Sequence, residues 1–573
     1  MKYSELVEDY LLDWSEVDSF IQHATPIITN ELKDTRELWF QGYFRPKKTE
    51  DKRVFLIYDR TILLAIRWQE LDKRVVCLKE VLLNSDIEIN RNECVELVRV
   101  ATHLGYFREL VIEESDCNPS WKYWLKQAGA VTLSHRLTLS SQYTEGLVLS
   151  GGGAKGAYQI GVWQAIEEHA RQFPVITGTS VGALNGALIM QGDFDVAKKM
   201  WEDIATNKIL DFPVNDELDS YDTNHLVENI QLFIKSALMN KGVSTEPLKK
   251  MIETLLSVEK IKANPSRFYI CTTRLKMMSE KVIDIKEQSN EDVYLWLLAS
   301  SSFFPAMAAT TIEQEPYIDG GYRNNIPIDV ALAKGANSLL IVDIEGPGVT
   351  KTHKISPTVP IIYLKSYWSL GTVLLFDHER SKWNIKLGYL EMKKKLGELS
   401  GYLYSFNYDE QQQPLRAMNY RLLPRVFSSE QIKNISNDAL DGIIKKIRKL
   451  SNDRVSVHTW LVVLMELLAK YLGVSPIHVY SYDAFIEEII KEYHASIEEK
   501  SPTTSDMLLS LGEHLSAYFG STPLISERAQ LVLLTDLFLQ EKISTDTYKK
   551  IAMINEPVLL MAQMLSCFIK ERG

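Results

Sequence analysis

Between Glu145 and Gly186 the chain passes twice from a short apolar run through a glycine turn into a helical segment: EGLVLSGGGAKGAYQIGVWQAIEEHARQFPVITGTSVGALNG. The first turn is Gly151 to Gly156, and the second is Gly178-Thr179-Ser180-Val181-Gly182. Strands that alternate with helices predict a parallel sheet with helices on both faces. Both turns then fall at the carboxyl ends of strands, where such sheets bind ligands.

The second turn carries the chemistry. Val175-Ile176-Thr177 is a β-branched run and Ala183 to Met190 reads as a helix, so Ser180 sits on a sharp strand-to-helix bend. That is the context of a nucleophile elbow, with the hydroxyl exposed at the first turn of a helix. Glycines at 178 and 182 remove the Cβ atoms that would crowd the serine. The unpaired N–H groups and the helix dipole favour a developing negative charge there.

The first turn has a rival reading, because Gly151-x-Gly153-x-x-Gly156 after Leu147-Val148-Leu149 is also a dinucleotide-binding spacing. That reading needs a carboxylate about twenty residues on, closing the second strand. The second strand ends instead at Thr177-Gly178-Thr179-Ser180, and Glu167 and Glu168 fall on the helix. A phosphate loop fails too, since Ala157 and Tyr158 follow Gly156 in place of Lys and Ser/Thr. Successive glycines are better used to present backbone N–H groups to an oxyanion, each worth roughly a hundred- to a thousandfold in rate.

A serine nucleophile needs a base, and Tyr317-Ile318-Asp319-Gly320-Gly321 places a carboxylate in a glycine turn after a short apolar segment. Asp319 is the candidate; the competing reading is a tight turn without chemistry.

With these residues assembled, the chain resembles the patatin-like phospholipase family. The glycine-rich Gly151-Gly152-Gly153-Ala154-Lys155-Gly156, the elbow at Ser180, the block Ala299-Ser300-Ser301-Ser302-Phe303-Phe304-Pro305 and the Asp319-Gly320-Gly321 turn stand in the family's order. The resemblance covers residues 145–345, more weakly to 425. It implies a Ser/Asp dyad in which Ser180 attacks an ester carbonyl, Asp319 takes its proton, and the amides of Gly151, Gly152 and Gly153 with Lys155 hold the oxyanion. Lys155 departs from the arginine most often found there and supplies a point charge in place of a planar fork. Phe303 to Met307 are candidates for lining an acyl channel, with core packing the alternative.

At 573 residues the chain is too long for a single core. The division expected is 1–144, a small α/β domain; 145–425, a patatin-like three-layer α/β sandwich with a mostly parallel sheet; and 426–573, an all-α region. In the first, strands are expected at 54–58, 62–68, 74–83, 109–113 and 131–139, with a helix capped by Asn92 and another by Asn118. This order is similar to the acetyltransferase fold of the Gcn5-related type. The coenzyme loop of that family has no counterpart between Arg74 and Glu96, so the resemblance implies a degenerate, non-catalytic module.

The five cysteines show no metal-ligand spacing and read as reduced thiols. No metal or cofactor is expected. The amino terminus lacks a basic start and an apolar run, no uninterrupted stretch reaches about 18 apolar residues, and a cytoplasmic enzyme is expected. A net charge of −11 argues against nucleic acid and against strong general attraction to anionic lipid. Peripheral membrane contact rests on Ser381 to Leu396, where Trp383, Leu387, Leu390 and Met392 lie among lysines; a helix packed on the central domain is favoured over it. His378, between Asp377 and Glu379, is expected to be a surface histidine.

The function expected is a lipid acyl hydrolase of phospholipase A or lysophospholipase type, with phospholipid as substrate class. An acyltransferase or thioesterase would use the same residues. The competing classes are a scaffold protein with a vestigial site and a signal-gated, membrane-damaging effector.

Overall fold

The computed structural model describes residues 2–29, 35–44, 51–117, 119–209, 244–351, 354–407, 413–429, 431, 436–498 and 526–572. The helices expected at 224–239 and 506–519, the linker at 501–505 and the cap at Asn118 lie outside them.

The first sheet is built from β1 (Ser4–Glu8), β2 (Ala24–Thr29), β3 (Lys52–Tyr58), β4 (Thr61–Asp72), β5 (Val75–Asn84), β6 (Glu109–Glu113), β7 (Val131–Leu133) and β8 (Arg136–Ser140). Its spatial order is β1-β3-β4-β5-β6-β8-β7, and only β5 and β6 pair in parallel. That pairing stops at Leu78, and from Glu80 to Asn84 the edge of β5 is taken by β2. The strand expected at 131–139 is a hairpin, turned at Ser134 and His135, both with positive φ. The helix Arg91–Leu104 is capped by Asn90 and not Asn92: the Asn90 side chain accepts the Glu93 N–H at 2.9 Å.

The second sheet holds β9 (Glu145–Leu149), β10 (Val175–Thr179), β11 (Arg267–Arg274), β12 (Ser279–Asp284), β13 (Thr310–Ile312), β14 (Glu315–Asp319), β15 (Ser338–Asp343) and β16 (Ile361–Lys365). Strands β11, β10, β9, β15 and β16 run parallel in that order. Period-two alternation buries both faces. Leu147 and Leu149 enter one apolar cluster and Val148 the other; Leu340 and Val342 join the first, Leu339 and Ile341 the second. The result is an α/β sandwich with a mostly parallel central sheet flanked by helices.

One pairing in this sheet positions the site. Tyr269 to Arg274 of β11 pair with β12 along one edge. On the other edge, Arg267 to Cys271 pair with β10, and Thr272 to Arg274 pair with β14, which runs the opposite way. Strands β10 and β14 therefore meet end to end against one neighbour. Thr179, the last residue of β10, is opposite Cys271, and Asp319, the last of β14, is opposite Thr272.

The helix His378–Lys395 buries Ile385, Leu387, Leu390 and Met392 against the sandwich, so the segment weighed as lipid-facing is a packed helix. It crosses the helix Ala157–Glu168 at two glycines: a Cβ on Gly161 would meet the Ile385 oxygen at 1.8 Å, and one on Gly388 the Tyr158 oxygen at 2.1 Å. Glu391, buried on the same helix, accepts the hydroxyls of Tyr158 and Ser366 at 2.5 and 3.1 Å.

A helical core follows, built from residues between Leu403 and Phe568. At its centre is the buried helix Trp460–Leu472, the apolar stretch interrupted in sequence by Glu466. The Glu466 carboxylate accepts the backbone N–H groups of Tyr402, Leu403 and Tyr404. Among the described residues one helix, Thr545–Arg572, is long and apolar enough to cross a membrane by length and composition. Its apolar window is 67% buried, and the backbone breaks at Asn555 (φ −147°, ψ 70°), two residues before Pro557.

Candidate active site

Ser180 follows the last residue of β10 with φ 56° and ψ −130°, left-handed backbone that a serine adopts at a cost of about 1–3 kcal/mol. The two elbow glycines make that bend possible. A Cβ on Gly178 would lie 2.4 Å from the Gly182 oxygen, and one on Gly182 would lie 2.4 Å from the Leu149 oxygen. The helix Val181–Gln191 thus starts in contact with the ends of β9 and β10.

Ser180 and Asp319 line one cavity, and the Ser180 side chain is close enough to act on the Asp319 carboxylate and lower its pKa. Asp319 is 4% exposed, and its Oδ1 also accepts the Gly321 N–H at 2.7 Å. Burial raises the carboxyl from its ordinary 3.8 to about 6, with the Ser180 side chain and the Gly321 N–H opposing the shift. The Asp319 turn is as crowded as the elbow, since a Cβ on Gly320 would meet the Cys271 oxygen at 2.2 Å.

The glycine loop divides into parts with different duties. The Gly151 N–H is donated to the Asn325 oxygen at 3.1 Å, and the Ala154 N–H to the Val373 oxygen at 2.8 Å. Between them, the N–H groups of Gly152 and Gly153 have no acceptor among the described residues. Gly153 has φ 55°, and a Cβ there would meet the Val373 oxygen at 2.2 Å. Lys155, expected at the oxyanion, instead donates from Nζ to the Glu345 backbone oxygen at 2.8 Å. It fastens the loop to the segment after β15, and burial lowers its pKa. Gly156 lies under the elbow helix, where a Cβ would meet the Val181 Cγ2 at 2.5 Å. Of the expected oxyanion set, Gly152 and Gly153 face the cavity described next; Gly151, Lys155 and Gly156 support the loop.

A cavity of about 250 Å³ opens on Ser180 and Asp319. Its walls include Leu184 and Leu188 of the elbow helix, Met251 and Leu255, and Val373 and Phe376 of the strap before the helix His378–Lys395. Phe303 and Met307 line it; Phe304 and Pro305 do not. Among the described residues that line it, Asp319 is the one charged side chain. His378 is not among these lining residues and stands exposed at a helix start between Asp377 and Glu379.

Beneath the loop lies a polar network that the sequence did not announce. Gln159 donates to the Ser150 oxygen at 2.9 Å, Asn185 donates to the Gly156 oxygen and to the Gln159 side chain, and the Trp201 indole donates to Asn185 Oδ1 at 3.0 Å. These buried amides hold the glycine loop to the elbow helix. The sequence signal was Asn185, a lone amide within the apolar run of the elbow helix.

Fold and site together define the class, an α/β sandwich with a serine on a strand-to-helix elbow and a buried aspartate in the same cavity. More particularly, a patatin-like phospholipase domain is present: that family's sequence profile matches residues 147–332. Lysophospholipase NTE1 of Mycosarcoma maydis is 29% identical over 232 residues, 39% of this chain and 11% of that protein. Patatin-like phospholipase domain-containing protein 7 of Rattus norvegicus is 27% identical over 206 residues, 35% of this chain and 13% of that protein. The chain thus spans a small part of the length of these relatives. Among solved structures, VipD from Legionella pneumophila aligns with 77% of this chain and 92% of its own at 15% identity and a TM-score of 0.30.

Proposed function

We propose that the central domain hydrolyses carboxylic esters of lipids, of phospholipase A or lysophospholipase type, through Ser180 and Asp319. The observation that carries this reading is Ser180, on a left-handed elbow, lining one apolar cavity with a buried Asp319. A base with a pKa near 6 is ionised at neutral pH yet still basic enough to accept a proton in the transition state.

The acyl chain enters the cavity, where each buried methylene contributes about 0.8 kcal/mol. Ser180 Oγ attacks the ester carbonyl carbon while its proton passes to Asp319. The carbonyl oxygen, now negative, is met by the Gly152 and Gly153 amides. Collapse of the tetrahedral species breaks the ester C–O bond, and Asp319 returns the proton to the departing alcohol. Water then gives a proton to Asp319 and attacks the acyl-serine; the acyl C–Oγ bond breaks, the fatty acid is released, and Asp319 returns the proton to Ser180 Oγ.

Residues 1–144 are read as a non-catalytic module, supported by β2 taking the edge of β5 just beyond where β6 ceases to pair. The names of the relatives support phospholipid and lysophospholipid as the substrate class. The test is intact-mass detection of an adduct after incubation with a fluorophosphonate. Labelling of the wild type that disappears in Ser180→Ala and falls sharply in Asp319→Asn supports the dyad; absence of labelling in the folded wild type overturns it.

A further inference from the structure

Where β10 ends, its pairing with β11 is interrupted. The chain leaves the sheet at Ser180, and the next stretch of the same β11 edge is taken by β14, arriving from the opposite direction. At such a junction a backbone donor and a backbone acceptor are left without each other, and a buried pair of this kind costs free energy unless something else satisfies both. The donor is the Ser180 N–H and the acceptor is the Cys271 carbonyl.

One side chain satisfies both. The Ser300 hydroxyl accepts the Ser180 N–H at 3.0 Å and donates to the Cys271 oxygen at 2.7 Å. Ser300 is 0% exposed and is the last residue of the helix Asn290–Ser300. Two residues on, the Ser302 carbonyl accepts the Asp319 N–H at 2.9 Å. Ser302 is itself held by its hydroxyl, which donates to the Leu298 oxygen at 2.8 Å and lies 2.9 Å from the Thr310 hydroxyl of β13. Ser301, between them, lines the cavity. One turn of chain therefore holds the backbone of both members of the dyad.

We infer that Ser300 is a positioning residue for the proposed reaction: its hydroxyl bridges the seam between β10 and β14, fixes the left-handed backbone of Ser180, and with the Ser302 carbonyl sets the register of the nucleophile against Asp319. This rests on the reading of Ser180 as nucleophile and Asp319 as base. Neither serine touches the reacting atoms. Ser300 acts through the amide of Ser180, and a displacement of the nucleophile by about 1 Å costs on the order of a hundredfold in rate.

The experiment compares wild type, Ser300→Ala, Ser300→Thr and Ser300→Cys, in the full-length chain, by steady-state kinetics on a soluble aryl ester and by the second-order rate of fluorophosphonate labelling. Ser300→Ala is expected to lower kcat and the labelling rate together by about ten- to a hundredfold with KM within about twofold. Ser300→Thr, which keeps the hydroxyl, is expected to recover most of both. The midpoint of the pH–rate profile, set by Asp319, is expected to stay in place. If Ser300→Ala does not fold, Ser300→Cys decides, because a thiol fills the site but hydrogen-bonds weakly, and it is expected to lose rate in the same way. A folded Ser300→Ala or Ser300→Cys that labels as fast as wild type overturns the inference, as does a fall confined to KM. Wild type that labels, with labelling abolished in Ser180→Ala, keeps that failure distinct from failure of the dyad itself; wild type that does not label overturns both.

Discussion

The Asp319 carboxylate accepts the Gly321 amide and lines the same cavity as Ser180, whose side chain lowers its pKa, with 4% of the residue exposed. Nothing charged offsets its burial among the forces that set its pKa, and desolvation dominates them. The base is thus held at a free-energy cost that the rest of the fold offsets.

The first consequence is a pH profile. Asp319 must be ionised to receive the Ser180 proton, so kcat/KM for a soluble ester should rise with pH through a midpoint near 6 and level off above it. Initial rates from pH 4.5 to 8 check this. A midpoint near 4 would mean that the carboxylate is not desolvated in the working enzyme.

Stability should respond in the opposite sense. The folded-state pKa of Asp319 is raised, so its contribution to stability is fully present below pH 3.8 and is lost as pH rises to about 6. Above that range the ionised group costs on the order of 3 kcal/mol. Asp319→Asn removes the charge and keeps an acceptor for the Gly321 N–H. Its Tm should exceed that of wild type at pH 7.5 and converge with it toward pH 4, while its activity is largely lost, a trade-off expected of functional sites. Calorimetry at both pH values is the measurement.

At the glycine loop, Gly153→Ala should lower kcat by about a hundred- to a thousandfold, because one free amide is displaced. The added Cβ would sit 2.2 Å from the Val373 oxygen at a residue with φ 55°. Gly192→Ala is the control for backbone strain alone. It has φ 80° with no atom within 4 Å of an added Cβ, so it should lose about 1–2 kcal/mol of stability and keep its activity.

The cavity wall gives a prediction about chain length. Leu184 lies one helical turn beyond Ser180 and lines the cavity. Leu184→Trp should shorten the space beside the nucleophile, leaving kcat/KM for acetate esters nearly unchanged. Each methylene excluded should cost about fourfold, from roughly 0.8 kcal/mol per group. A series of aryl esters of increasing chain length reads the break point.

In the helical core, Glu466 is the acceptor for three backbone N–H groups, and burial raises its carboxyl to about 7. Glu466→Gln keeps an acceptor without a charge and should raise Tm above pH 7, where the native glutamate is ionised. Glu466→Ala strands three buried donors and should lower stability by about 3 kcal/mol or more. Urea unfolding at pH 8 distinguishes the two.

What could be read from the chain was local. The elbow, the glycine loop and the strands β9 and β10 that lead into them announced themselves because glycine turns and β-branched runs act within a few residues. The strands at Ser4–Glu8 and Ala24–Thr29 did not: the first mixes Glu5 and Glu8 with its apolar residues, and the second follows His23 with no turn residue and contains Pro26. The duties of Gly151 and Lys155 were hidden because their acceptors, Asn325 and Glu345, come from far along the chain. Ser300 was quoted as part of a block, yet its role exists only once Ser180 and Cys271 are side by side. A helix is expected from Pro557 to Lys570, but its membrane-like length was hidden because polar residues are interspersed along Thr545–Arg572 and the backbone breaks at Asn555.

The end-to-end meeting of β10 and β14 also makes the dyad a matter of counting. Side chains alternate between faces along a strand, so parity decides which way a residue points. One residue inserted between Glu315 and Ile318, or deleted there, would turn the Asp319 carboxylate to the opposite face with every amino acid of the motif still present. Length, as much as identity, is what these two short strands must preserve.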